Sequence, residues 1–181
     1  QVHFLFAAAV TALLGASHLL GQGPLPPPPV PAGNPITAAK TNLGKVLFWD
    51  EQMSSTRTVA CATCHTPEAG GGDLRTAGAR TPGFDRVFNT QDDTFGSPGV
   101  VDNLADGTYV RTEPFALHPQ ITGRKAPSIF MAAYPPFQFW DGRRGDTLRD
   151  PITNQVVLPA NASLENQVLE PPLSPVEMNH A

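Results

Sequence analysis

VACATCHTPEAGGG, residues 59–72, contains both cysteines of the chain, Cys61 and Cys64, with His65 directly behind them. Two thiols three residues apart with an adjacent imidazole are the attachment spacing of a c-type haem: the thiols bond the two vinyl groups and the histidine reaches the iron. Three other uses of the same residues compete. A thioredoxin-type redox pair expects a βαβ context, which the flanking sequence lacks. A structural zinc site needs four ligands, and with no further cysteine it would recruit remote histidines. A plain disulfide leaves His65 without a purpose. Covalent haem c accounts for all five residues 61–65. It also explains the need for covalent links, because a loop-rich domain holds a loose prosthetic group poorly.

The sequence around the cluster is loop-rich. The 181 residues include 20 prolines and 16 glycines, which predicts many turns around a few short elements. Twelve Lys and Arg stand against 16 Asp and Glu, a formal charge of -4. No basic field is available for nucleic-acid phosphates or anionic lipid, so nucleic acid is excluded as an expected partner. Residues 66–123 run through Gly, Asp, Asn and Thr with no sustained period, as expected of loops that wrap a prosthetic group. Asp92, Asp93, Asp102 and Asp106 lie in this stretch, but their spacing is not that of an EF-hand calcium loop, and a solvated loop is the plainer reading.

The two ends of the chain read differently. Residues 1–22 form an uncharged, apolar, Ala-rich run with small residues near Gly15 and Gly21, which reads as a signal-peptide core and predicts export to the periplasm. The initiator Met and basic n-region are lacking, so the chain reads as starting inside its gene. Residues 23–34, GPLPPPPVPAGN, predict an extended polyproline spacer. The domain proper then spans residues 35–181. Asn34 as cap, Pro35 at the first position and apolar residues at Ile36, Ala39, Leu43, Val46 and Leu47 predict a helix over residues 35–49. Further helices are predicted over residues 127–134 and from Ser163. Turn signals at Asp150-Pro151 and Asn154-Gln155 predict a short hairpin around residues 156–158. The expected fold is therefore mainly α, a c-type cytochrome-like helical domain around one covalent haem with long irregular loops.

Taken together, LGKVLFWDEQMSSTRTVACATCHTPEAGGGD, TGRKAPSIFMAAYPPFQFWDGR and SLENQVLEPPLSPVEM resemble the N-terminal, peroxidatic haem domain of the bacterial di-haem cytochrome c peroxidases. That family also contains the methylamine-utilisation haem enzyme. The haem pentapeptide is generic to c-type cytochromes; FWDGR and PVEM, in that order behind it, give the resemblance its specificity. It implies that His65 is the proximal iron ligand, Glu177 of PVEM the distal acid-base and Gln167 of SLENQ the distal amide. A carboxylate over the iron can take a proton from one peroxide oxygen and return it to the other. An amide can donate a hydrogen bond to the bound oxygen without changing charge. Set against these roles, Glu177 also reads as a solvated carboxylate and Gln167 as an exposed helix residue.

The resemblance further implies that Trp140 lies between two haems as an electron conduit, although a buried aromatic anchor is the commoner use of such a residue. His118 is a candidate removable sixth ligand, one residue out of register, with an ordinary loop histidine as the competing reading. Arg124, Arg143 and Arg144 are candidates to pair with haem propionates, or simply surface cations. Two departures from the family pattern stand out. Lys125 occupies the place of an Asn that binds calcium between the family's two domains, which puts calcium in doubt. The second CxxCH and axial methionine of the C-terminal domain are missing, so the chain reads as a fragment. The implied activity is reduction of hydrogen peroxide by a small reduced cytochrome c or cupredoxin, in a protein that in this family can be a homodimer. The alternative is a mono-haem electron carrier with Met178 or Met131 as sixth ligand. A third reading keeps the fold and oxidises a partner protein instead.

Overall fold

A computed structural model of the chain describes residues 23–76 and 81–180; the segment read as a signal peptide, residues 1–22, lies outside the described residues. Among the described residues no helix is long and apolar enough to cross a membrane. The longest element is helix α1, Ala38–Trp49. It starts three residues later than the sequence predicts, because Thr37 in extended conformation accepts the Lys40 N–H at its Oγ1 (3.3 Å) and so serves as the cap. Asn34 is used elsewhere: its Nδ2 donates to Glu165 Oε1 at 3.0 Å, and its Oδ1 accepts from Lys40 Nζ at 2.7 Å.

After a 3₁₀ turn over Glu51–Met53, the chain folds around the Ser54 hydroxyl, which is fully buried. Ser54 Oγ accepts from the N–H groups of Thr58 (3.1 Å) and Val59 (3.0 Å) and donates to the Glu51 carbonyl (3.1 Å). A short polar side chain saturated in this way replaces regular backbone pairing. It delivers the chain into α2, Cys61–Cys64, a single turn that packs beside α1. Further 3₁₀ turns at Pro67–Ala69 and Leu74–Thr76 follow, and the loops beyond are held by isolated bridges such as Thr81 with Thr94 and Pro98 with Ile121.

The region predicted as helical over residues 127–134 forms only turns at residues 130–133. Met131 takes a left-handed φ of 67°, which a helix of L-residues does not accommodate, and the Pro135-Pro136 pair closes the segment off. The predicted hairpin does form. Strand β1, Leu148–Arg149, pairs antiparallel with β2, Val156–Leu158, in the register Leu148 to Leu158 and Arg149 to Val156, with an irregularity between. Its tip is closed by Asp150 Oδ1, which accepts from the N–H groups of Ile152 (2.9 Å) and Thr153 (2.7 Å). Helix α3, Ser163–Val168, rests on β1, and α4, Glu170–Leu173, follows at once.

The hydrophobic core is small. Val59, Val100 and Met178 form its buried cluster, with Met53 packed against it. Val59 leads into α2 and Met178 ends PVEM, so this cluster joins the cysteine turn to the end of the chain. The Pro-rich segment is docked on the domain and ends in a turn: the Tyr134 hydroxyl donates to the Pro26 carbonyl at 2.8 Å, Pro31 is buried, and the Asn34 N–H donates to the Pro31 carbonyl at 2.9 Å.

Candidate functional site

Helix α2 is only one turn long, yet that turn is what the attachment chemistry requires. Residues three apart on a helix share a face, so Cys61 and Cys64 present their sulfurs together, and the two are free thiols not joined to each other. The turn is closed at its start by the Ala60 N–H donating to Thr63 Oγ1 (2.9 Å) and at its end by the His65 N–H donating to the Cys61 carbonyl (3.1 Å). Both thiols are half-buried. Burial pushes the Cys61 thiol up and drives that of Cys64 to about 11, against the opposing pull of the Arg75 guanidinium.

His65 Nδ1 lies 3.0 Å from the Gly71 carbonyl oxygen. Facing a carbonyl, Nδ1 must carry the proton, which leaves Nε2 as the lone-pair nitrogen for a metal. The same Gly71 carbonyl accepts the Ile129 N–H at 3.0 Å. Gly71 has a left-handed φ of 79°, and a Cβ there would meet Ile129 Cγ1 at 2.8 Å, so glycine is required for this carbonyl to orient the imidazole. Two thiols on one face, half-buried, and an imidazole with Nδ1 fixed and Nε2 available fit a c-type haem. A further contact was not foreseen from sequence: Arg75 Nη2 donates to the Cys64 sulfur at 3.2 Å and to the Pro98 carbonyl at 2.9 Å.

PVEM is brought to this neighbourhood by the segment 97–100. The Val100 N–H donates to the Val176 carbonyl at 3.0 Å, and Gly99 approaches so closely that a Cβ would lie 2.0 Å from that oxygen. Gln120 Nε2 holds the Pro175 carbonyl at 3.1 Å, and Ser55 N–H holds that of Met178 at 2.8 Å. Glu177 is thereby half-buried. Burial raises its carboxyl above the ordinary 4.5, while the charge of Arg143 draws it back, and the Cys64 thiol in turn feels the Glu177 carboxylate.

Gln167 is placed by α3, which is tied down at both ends. Ser163 Oγ donates to the Pro135 carbonyl at 2.7 Å and lies 3.0 Å from Gln138 Nε2, while Asn166 Nδ2 bonds the carbonyls of Gly145 (3.1 Å) and Thr147 (3.3 Å). Gln167 and Glu177 line one cleft of about 820 Å³, together with Phe139, Arg143, Arg144 and Glu170. Arg143 is fixed there: its guanidinium carbon sits 3.5 Å from the centre of the Phe139 ring, and its Nη1 bonds Asp141 Oδ1 at 3.1 Å. Arg144 forms an ion pair with Glu170.

The remaining sequence candidates fall outside this cleft. Trp140 sits at the tip of the FWDGR turn and is 97% exposed, so it is not a buried anchor. Arg124 is exposed and bonds Asp141 Oδ2 at 3.0 Å. His118 is exposed on the loop that follows Phe115, whose carbonyl accepts its N–H at 2.9 Å. Met178 is only 2% exposed, packed between Val59 and Val100, whereas Met131 is half-exposed. Asp92 and Asp93 cap their own loop, accepting from the N–H groups of Asp85 (3.1 Å) and Asn89 (2.7 Å). Lys125 is exposed.

Residues 38–181 match the family profile of the di-haem cytochrome c peroxidases. Among curated proteins, the chain is 43% identical over 83 residues to a cytochrome-c peroxidase of Denitromonas iodatirespirans, covering 46% of this chain and 22% of that protein. It is 28% identical over 137 residues to the methylamine utilization protein MauG of Methylophilus methylotrophus, covering 76% and 29%. It is 28% identical over 153 residues to the cytochrome c peroxidase of Escherichia coli, covering 84% and 22%. Each match spans less than a third of the relative's own length.

Proposed function

The chain belongs to the di-haem cytochrome c peroxidase family, and from that premise we propose that it is the peroxide-reacting haem domain of an exported, periplasmic peroxidase. In this reading the fold is a c-type cytochrome-like, mainly α domain around one haem c, attached through Cys61 and Cys64 and ligated by His65. The observation that carries it is the shared cleft of Gln167 and Glu177, with the Glu177 carboxylate close enough to influence the haem-bearing Cys64.

Reduction of hydrogen peroxide to two waters consumes two electrons and two protons. The haem, when bound, supplies the iron at which the O–O bond is broken. Glu177 takes the proton from the near peroxide oxygen at a carboxylate oxygen and delivers it to the departing one. Its half-burial supports this role, because desolvation raises the carboxyl toward the working pH, so that it takes up a proton more readily than an exposed glutamate does. Gln167 donates its amide N–H to the oxygen and accepts no proton, so it orients without titrating. Arg143 holds positive charge on the same cleft and steadies the ionised form of Glu177. The electrons come from a small reduced cytochrome c or cupredoxin, and the exposed Trp140 suits a surface that receives them from another redox centre. A homodimer is compatible with this scheme. Calcium in the full protein is a doubtful addition to this reading, since Lys125 stands where the resemblance places a calcium-binding Asn.

The test is the complete protein carrying Glu177→Gln. Stopped-flow mixing with peroxide, followed at the Soret band, should show the reaction slowed by about a hundred-fold or more, the size expected for loss of a general acid-base. Haem content should be unchanged. Equal rates in variant and parent would remove Glu177 from the assignment.

A further inference from the structure

Asp73 and Arg75 lie eleven residues and less beyond the cysteine turn and carry no role in the chemistry above, yet their contacts converge on it. The Asp73 side chain is 0% exposed. Its Oδ1 accepts from Arg75 Nε (2.9 Å) and from the Arg75 N–H (2.8 Å), and its Oδ2 accepts from Arg75 Nη2 (2.8 Å). Ser97 adds a further hydrogen bond. On its other side Arg75 Nη2 meets the Cys64 sulfur at 3.2 Å and the Pro98 carbonyl at 2.9 Å. These contacts orient the pair so that its positive end faces the Cys64 sulfur.

We infer that the Asp73–Arg75 pair is a fixed dipole directed at the Cys64 attachment, where Arg75 acts as a positioning residue that raises the reduction potential of the haem. The inference rests on the haem reading above. An iron porphyrin carries one more positive charge when oxidised than when reduced, so a guanidinium held near its edge favours the electron-rich form. The carboxylate does not cancel this, because it lies behind the guanidinium. At the Cys64 sulfur the influence of Arg75 outweighs that of Asp73. Burial works to raise the Asp73 carboxyl, but the bonds from Arg75 and Ser97 prevail and hold it below its ordinary range, so the pair is charged at neutral pH.

A structural anchor alone would behave differently when its two charges are removed in turn. Redox titration of the complete, haem-matured protein separates the cases, with the relevant wave identified by its loss in the Cys61→Ala, Cys64→Ala double variant. At an applied potential set to the parental midpoint, Arg75→Gln should lower the ratio of reduced to oxidised haem at least threefold. Asp73→Asn should raise it by a similar factor, and Arg75→Lys, which keeps the charge but loses the fork, should stay near the parent. Shifts of the same sign in the two neutralised variants, or none, would overturn the inference. If Arg75→Gln fails to fold, Asp73→Asn still decides by its sign. A parental protein without covalent haem would overturn the haem reading as well, whereas attached haem with an unmoved potential would overturn this inference alone.

Discussion

Substituting Gly71 by alanine should damage the protein twice, once in stability and once at the imidazole. A left-handed φ of 79° costs an L-residue about 1–2 kcal/mol. The new Cβ would lie 2.8 Å from Ile129 Cγ1 and 3.0 Å from the Ile129 nitrogen, an overpacking that costs about 1–3 kcal/mol. Reduced freedom of the unfolded chain returns about 0.4–1 kcal/mol. The net loss is about 1–5 kcal/mol, or roughly 2–20 °C in melting temperature for a chain of this size. Gly70 supplies the internal control, since it has a φ of 63° and no atom within 4 Å of its added Cβ. Gly70→Ala should cost only the conformational part, about 1 kcal/mol. The clash at Gly71 also pushes away the carbonyl that holds His65 Nδ1 at 3.0 Å. The iron–histidine stretch in the resonance Raman spectrum of the reduced protein should therefore shift in Gly71→Ala and not in Gly70→Ala. Melting temperatures equal in the two variants, with an unmoved stretch, would refute the reasoning.

Matured and exported with a cytochrome c assembly system, the protein should carry haem that survives denaturing electrophoresis, and Cys61→Ala with Cys64→Ala should abolish the haem stain from this domain. The reduced domain should bind carbon monoxide readily, and Met178→Leu should leave that binding intact while costing less than about 1.5 kcal/mol; a methionine–sulfur charge-transfer band lost in the variant would favour the electron-carrier reading. Glu177→Gln should raise the melting temperature at pH 7. The folded carboxyl is raised above 4.5, so the fold binds more protons than the unfolded chain and loses stability as pH rises through that raised value. Melting curves of parent and variant should converge below about pH 4; a variant less stable than the parent at pH 7 would contradict the burial of this group.

How much of this was legible in sequence depended on the range of the interactions involved. The cysteine spacing was visible at once, although the single helical turn over Cys61–Cys64 that carries it was not among the predicted helices. Also legible were the hairpin, set by Asp150 and Asn154 at its tip, and α3, whose start at Ser163 was anticipated. Residues 127–134 were misread because their apolar spacing fits a helix while the left-handed φ of Met131 is imposed by tertiary context. The shift of the α1 start had a similar cause: Asn34 could cap locally, but its amide instead reaches Glu165, 131 residues away in sequence. Resemblance supplied Glu177 and Gln167 as a pair, and their own surroundings in sequence supplied no reason to prefer that over a solvated carboxylate and an exposed amide. Asp73 and Arg75 escaped notice altogether, since nothing in GGGDLR announces that the guanidinium will meet Cys64.

Single backbone groups join several segments at this site, so that irregular chain is tied together by a small number of shared hydrogen bonds. The Gly71 carbonyl serves His65 and Ile129, and the Pro98 carbonyl receives Arg75 at 2.9 Å with the Cys64 sulfur close beside it at 3.8 Å. Ser97 receives the Thr122 N–H at its carbonyl and the Ala126 N–H at its hydroxyl, and bonds Asp73 as well. A helix bundle would distribute such constraints over many interchangeable side-chain contacts; here each rests on one or two hydrogen bonds, several of them between partners tens of residues apart. Loop substitutions at Ser97, Pro98, Thr122 or Ala126 consequently act on the cysteine turn itself, although none of these residues carries chemistry of its own. Thr122 and Ala126 lie outside the small core of Val59, Val100 and Met178, whereas Ser97 is itself fully buried, so Ser97→Ala should lower the melting temperature as well as disturb this turn.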